Sequence, residues 1–411
     1  FEFIIASSDL TLQAISTKQH TKTYYDSFDW RLYNNGIIAE LENHQLSLKT
    51  LKNHLNIATI KLNNPPSLTQ QLPISALRHQ LEPLLEMRAL IPLCTLSYQS
   101  HTYHLLNEDQ KTISRLFIEQ YQDIGSRLYL QIIKGYDNDV EIIIKNLKKQ
   151  NAQLTTNSIL LSALKQHNIK INDYSSKLNI VLNPNTKADL AVKSIFTELL
   201  NTIKTNHHGT INNIDSEFLH DFRVAIRRTR SAFSQLKSVL PEDISHYAQF
   251  FSWLGKITSD TRDLDVYLLN FNDYKNSLPE ELKEHLNPLH DFLAKKQKLA
   301  QHALATELQS DYYLTNMARW ETYLSQTSNN PNKLTIKKLA DKRLKRNYQR
   351  VLNEGQNIND QSPCEALHEL RKSCKKLRYL LEFFQSLYDK EILKIFIKAL
   401  KELQEVLGDF Q

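Results

Sequence analysis

The sequence has only three cysteines, Cys94, Cys364 and Cys374, and no two of them form a CxxC pair. That spacing supports neither a disulfide framework nor a zinc cluster, and a reducing cytoplasm fits it best. No apolar run approaches the roughly 18 to 20 residues of a membrane span, and residues 1–8 are too few for a signal peptide. The first residue is Phe rather than Met, which leaves a removed leader open. Glycine is scarce throughout, and in the second half only Gly209, Gly255, Gly355 and Gly408 occur, while Pro241, Pro279, Pro331 and Pro363 mark further breaks. So few breakers predict helices of about 15 to 25 residues, with each glycine near a helix end or turn.

What is present is globular composition, 41% apolar and 23% charged over 411 residues, which is long for one core and natural for two domains. The net charge of +6 and the pI near 8.9 favour an acidic partner only weakly, so local charge must decide. Up to about residue 182, short β-branched and aromatic runs such as 128–133 and 140–144 predict strands. Asn183, Pro184 and Asn185 then form a breaker cluster, after which the period becomes helical. The expected fold class is therefore α+β in two domains, a mainly antiparallel β-rich domain over 1–183 and an all-α domain over 187–411.

The second domain repeats itself. His220, Arg223, Arg227, Arg228 and Arg230 spell HxxRxxxRRxR, and 148 residues later His368, Arg371, Lys375, Lys376 and Arg378 spell HxxRxxxKKxR. A second block follows each motif in the same order, LGKITSDTRDLD at 254–265 and LKELQEVLGDFQ at 400–411, aligning Asp263 with Asp409. Two ordered matches indicate duplication, with copies over about 187–330 and 333–411, each a small helical bundle packed against the other about a pseudo-two-fold axis. At about 100° per residue, His220, Arg223, Arg227 and Arg230 fall within an arc of roughly 80°. Leu219, Phe222, Ala225, Ile226 and Phe233 take the opposite side, as do Leu367, Leu370, Cys374, Leu377 and Leu381 in the second copy. If the axis brings the stripes together they line one basic cleft, and the simplest relief of their repulsion is an anion between them.

A further basic run contains Lys338, Lys342 and Arg346 on one helical face, with Asp341 as its one acid. The copy-one counterpart, around Lys193 and Glu198, lacks this charge. Arg262, Asp263 and Asp265 in RDLDV could pass for catalytic carboxylates, but beside so many arginines they are expected to orient them. No metal site is expected, because neither His220 nor His368 has a second His or Cys at ligand spacing.

These residues resemble the CHAD domain, the conserved-histidine α-helical domain. The likeness rests on DSEFLHDFRVAIRRTR at 215–230, RDLDV at 262–266, LHELRKSCKKLRYLLEFF at 367–384 and LGDF at 407–410. It implies two four-helix bundles around a basic pore that binds inorganic polyphosphate without catalysis. It also carries the binding role onto His220, Arg223, Arg227, Arg228, His368, Arg371, Lys375, Lys376 and Arg378. Arg230, Lys372, Lys338, Lys342 and Arg346 complete the candidate polyphosphate ligands. Family members usually continue past the LGDF block, so the second bundle is expected to lack a terminal helix. More faintly, the first domain is similar to the CYTH, or triphosphate-tunnel, fold that often precedes CHAD, with YYDSFDWRLYNNGIIAELE at 24–42 as its best segment. It departs where the family holds metal and triphosphate: the ExExK opening reads FEFIIA with Glu2 as its one acid, Glu40 and Glu42 stand in place of two arginines, and Gln131 precedes Lys134 and Gly135. Acids in place of arginines repel a polyanion, so this domain is expected to be an inert scaffold.

The expected function is non-catalytic binding of inorganic polyphosphate, with no cofactor, no metal and no membrane. The expected place is the cytoplasm, with polyphosphate granules as a candidate location. An RNA-binding protein would use the same charges but usually adds exposed aromatics for stacking, and the stripes have none. A triphosphate hydrolase in the first domain is the third reading. Oligomeric state is not legible in the sequence.

Overall fold

The structure is a computed structural model, and it describes residues 10–149, 151–155, 158–240, 244–326 and 334–409. It divides into two compact units, Phe1–Ser175 and Ser176–Gln411. The division falls ahead of the breaker cluster at 183–185 because Leu178, Ile180 and Leu182 already pack into the helical core.

The first unit holds β1 (Thr11–Asp26), α1 (Arg31–Asn34), β2 (Ile37–Glu42), β3 (Gln45–Thr50), β4 (Asn56–Lys61), α2 (Ala76–Leu85), β5 (Ile91–Leu106), β6 (Thr112–Tyr121), β7 (Gly125–Ile132), α3 (Asp137–Lys149) and α4 (Ile159–Gln166). The seven strands form one antiparallel sheet ordered β4-β3-β2-β1-β5-β6-β7, consistent with the CYTH likeness. Alternation along β2 sends Ala39 to one face, with Leu46, Leu48 and the α2 leucines Leu77, Leu81 and Leu85. Ile38 goes to the other, with Tyr24, Tyr98, Tyr121 and the α4 residues Leu160, Ala163 and Leu164.

The run 128–133 is strand up to residue 132, but 140–144, expected as a strand, is the middle of α3. Buried Ile143 and half-buried Leu147 stand four residues apart, whereas Ile144 between them is exposed. A one-sided apolar spacing of this kind suits a helix, and it overrides the strand preference of consecutive isoleucines.

The second unit is helical throughout its described elements. Copy one contributes α5 (Ala188–Ile211), α6 (Ser216–Leu236), α7 (Ser245–Ile257), α8 (Ser259–Leu269), α9 (Phe271–Asn276), α10 (Glu280–Lys283), α11 (Asn287–Leu308) and α12 (Asp311–Ser325). Copy two contributes α13 (Ile336–Gln356), α14 (Cys364–Phe383) and α15 (Lys390–Asp409). Asp215 caps α6 by accepting from the amides of Glu217 and Phe218 at 2.9 and 3.1 Å, a cap worth about 1 kcal/mol. Rings from α5, α6, α7 and α12 meet in the first core, where Trp320 lies 5.1 Å from Phe196 and 4.7 Å from Tyr247. The second core is smaller and rests on three helices, α13, α14 and α15, among the described residues. The start of α13 and the end of α14 (Ile336, Leu339, Phe383, Phe384) pack instead into the first core, so the copies share apolar material.

Several helices are shorter than the 15 to 25 residues expected. The run from 245 to 269 breaks at Thr258, whose hydroxyl bonds back to the carbonyls of Leu254 and Gly255 at 3.0 and 3.1 Å.

The copies meet about a pseudo-two-fold axis. Lys187 pairs with Thr335 in an antiparallel bridge. The Ala188 amide donates to Leu334 O and the Ile336 amide to Thr186 O, both at 2.9 Å. Each of these bonds maps onto the other under the 148-residue repeat, which is the reciprocity of an isologous contact.

Candidate functional site

The two motif helices are α6 and α14. On α6 the apolar side is buried as the spacing predicts, with Leu219, Phe222, Ala225, Ile226 and Phe233 all nearly inaccessible. On α14 Leu370, Cys374, Leu377 and Leu381 are buried and Leu367 is half-buried. The cations are therefore held on the other side of each helix.

Arg223 is anchored rather than free to roam. Its Nη1 donates to Thr258 Oγ1 at 2.8 Å, Ser259 Oγ at 3.2 Å and Gly255 O at 3.4 Å, filling the break between α7 and α8. Burial lowers its pKa from the ordinary arginine value, and so do Arg227, Arg262 and Arg230, while Asp263 opposes them. The counterpart Arg371 donates from Nε to Gln404 O at 3.2 Å. Both copies set a guanidinium against a glycine: a Cβ on Gly255 would sit 2.7 Å from Arg230 Nη1, and one on Gly408 2.7 Å from Arg371 Nη2. These glycines do lie near helix ends, yet what they provide is room for arginine.

Across the axis the stripes come within electrostatic reach. Burial lowers the Lys375 pKa, followed by the charges of Arg371, Arg227 and Arg378. Arg227 belongs to the other copy and is Lys375's own equivalent at the 148-residue offset. Among the described residues neither Arg227 nor Lys375 has an ion-pair partner.

The remaining candidates divide. Arg228 and Arg378 share one carboxylate: Glu382 Oε2 accepts from Arg228 Nε and Nη2 at 3.1 and 2.8 Å, and Oε1 accepts from Arg378 Nη1 at 2.9 Å. Both guanidinium groups also face the Tyr379 ring, at 6.0 and 5.0 Å. His220 is half-buried and 3.0 Å from Arg262 Nη2; because a guanidinium only donates, His220 Nδ1 accepts and the ring proton sits on Nε2. His368 is exposed, and the position aligned with Arg262 is Gly408, so copy two cannot repeat this contact. Lys372 is exposed and pairs with Glu369 at 2.6 Å. Lys376 is half-buried. Lys338, Lys342 and Arg346 are exposed along α13, and no bond joins them to either stripe among the described residues.

The RDLDV acids separate as well. Asp263 acts on Arg223, but Asp265 is buried and accepts from Gln297 Nε2 at 2.8 Å, so its described bond is to an amide and not to an arginine. Sequence reasoning passed over Glu382, although its position four residues after Arg378 on a helix was the available signal. Glu2, Pro241, Pro331 and Phe410, singled out above, lie outside the described residues.

In the first unit, Glu40 and Glu42 project to the Tyr24 face of the sheet and are taken up locally. Lys49 pairs with Glu40, Lys22 lies 3.6 Å from Glu42, and the Tyr98 hydroxyl donates to Glu42. Tyr121 donates to Glu119 at 2.7 Å, and the Tyr98 and Tyr121 rings stack at 4.8 Å. Lys22 and Lys49 on this face are paired with protein acids, whereas Arg127, opposite Glu119 in the register, reaches Ser162 Oγ at 3.4 Å. Among the described residues no group of three His, Cys, Asp or Glu side chains could hold a metal ion, and no helix is long and apolar enough to cross a membrane.

Fold and site together define a duplicated helical domain whose histidine- and arginine-bearing helices are related by an internal axis. The chain belongs to the CHAD domain family, whose family model matches residues 194–411, over half of its length. Among solved structures, the chain is similar to the CHAD domain from the plant Ricinus communis, with 25% identity over 56% of this chain and 77% of that one and a TM-score of 0.49. It is also similar to PptA from Streptomyces chartreusis, with 10% identity over 55% of this chain and 98% of that one and a TM-score of 0.42. No curated protein matches it.

Proposed function

We propose that the protein binds inorganic polyphosphate, without catalysis, in a basic cleft between the two copies of its helical domain. The observation that carries this reading is the repulsion between Arg227 and Lys375, equivalent cations of the two copies, on packed helices, that lie within electrostatic reach and have no ion-pair partner among the described residues. Lys375 is half-buried and Arg227 exposed, and their mutual repulsion is a cost that a bound anion removes. A linear chain of phosphates supplies negative charge along the whole stripe, and both fork-shaped Arg and point-charged Lys suit its oxygens. His220, Arg223, Arg230, Arg371 and Lys376 extend the cationic surface on either side. Membership of the CHAD family supports the same ligand.

In this reading the first unit is a scaffold. Lys22 and Lys49, two cations of the Tyr24 face, are matched with Glu42 and Glu40. The protein would work in the cytoplasm and could accompany polyphosphate granules. A titration of the full chain with polyphosphate, competed with RNA of matched charge, tests the proposal: polyphosphate should bind and RNA should compete poorly. Equal competition would favour nucleic acid, and phosphate release from triphosphate with magnesium or manganese would overturn the non-catalytic assignment.

A further inference from the structure

Glu382 occupies a place that its surroundings suit to an anion. Each of its oxygens serves a different copy, Oε2 bonding Arg228 of α6 and Oε1 bonding Arg378 of α14, and its side chain is only 12% exposed. Around it stand two guanidinium groups and the face of Tyr379. The internal symmetry makes this arrangement one-sided. The equivalents of Arg228, Arg378 and Glu382 are Lys376, Arg230 and Ser234, so the other side of the axis keeps its two cations and has a hydroxyl where the carboxylate would be. Neither Lys376 nor Arg230 has an ion-pair partner among the described residues, and Ser234 is exposed beside Arg230.

We infer that Glu382 is an internal competitor for the polyanion, which closes the Arg228 and Arg378 side of the cleft and leaves Arg230 and Lys376 as the open side. The inference rests on the polyphosphate reading of the same site. A phosphate group reaching Arg228 and Arg378 must displace a carboxylate that already satisfies both, so the wild-type chain engages fewer cations than its sequence carries. The competitor also fixes an orientation: the bound chain runs over the axis toward α7, where Arg230 lies against Gly255, and stops short of Arg228.

Two substitutions in the full chain test this against polyphosphate of one defined length, with affinity measured over a series of salt concentrations. Glu382→Gln should tighten binding by about tenfold or more, since the charged hydrogen bonds of two guanidinium groups become available to phosphate. It should also steepen the dependence of log K on log salt by up to about two phosphate contacts. Ser234→Glu places a carboxylate four residues after Arg230, as Glu382 stands four after Arg378, and should weaken binding and flatten the salt dependence. Wild-type binding with no tightening in Glu382→Gln overturns the inference. Should that variant fail to fold, unchanged affinity in Ser234→Glu overturns it by itself. Absence of polyphosphate binding by the wild-type chain instead overturns the functional reading on which the inference stands.

Discussion

Lys187 and Thr335 pair backbone to backbone on the internal axis, although 148 residues separate them. The two hydrogen bonds that flank the bridge exchange with one another under the repeat, and they start α5 and α13 side by side. From that fixed origin α6 and α14 follow at equivalent distances along the chain, which brings Arg227 toward Lys375.

Arg227 and Lys375 should therefore behave as one unit. Replacing either by Gln should leave the melting temperature unchanged or raise it, because the survivor loses a like-charged neighbour. Each should weaken polyphosphate binding by about 1.5 to 3 kcal/mol, and the double variant should lose less than the sum if a single ligand spans both. Strictly additive losses in a calorimetric double-mutant cycle would mean two independent sites.

Arg223 should differ from Arg227 despite sharing its stripe. Its three bonds close the α7–α8 break, so Arg223→Gln should lower stability by about 1 to 3 kcal/mol as well as weaken binding. A thermal melt in which Arg223→Gln and Arg227→Gln match the wild type equally would show that the anchoring contacts carry no weight.

Lys375 makes stability depend on pH. Its pKa is lowered in the folded chain, so between that value and the ordinary 10.5 the unfolded state binds more protons and stability rises with pH. The repulsion is fully present below the lowered value. The stability difference between wild type and Lys375→Gln should accordingly shift in favour of wild type as pH climbs toward 10.5, and a pH-independent difference in chemical denaturation would contradict this.

Gly209 and Gly255 should respond differently to alanine. A Cβ at Gly209 would lie 2.2 Å from Phe218 Cδ1, against a buried ring with little room to move, whereas at Gly255 it meets the far end of the Arg230 side chain. Gly209→Ala should cost about 1 to 3 kcal/mol or more, and Gly255→Ala less, with its main effect on polyphosphate affinity. Denaturant midpoints for the two variants check the order.

In the first unit, Glu42→Ala should strand Lys22, which is 6% exposed, and destabilise the domain by about 3 to 5 kcal/mol. It should not create phosphate release from triphosphate. A stable variant would mean that Lys22 finds another partner or reaches solvent.

The sequence by itself determined what depends on local period and repetition. The α6 and α14 faces were legible because 3.6-residue geometry alone decides which side chains share a side, and the duplication was legible because two ordered blocks recur. The strand expected at 140–144 failed because a run of isoleucines fits either period until packing chooses, and here only one side of α3 is buried. Tertiary structure alone decided which cations stay unpaired. Charges interact through space, so the pairing of Arg228 with Glu382, the seating of Arg223 in a helix break and the repulsion between Arg227 and Lys375 depend on distances between helices that no spacing along the chain encodes.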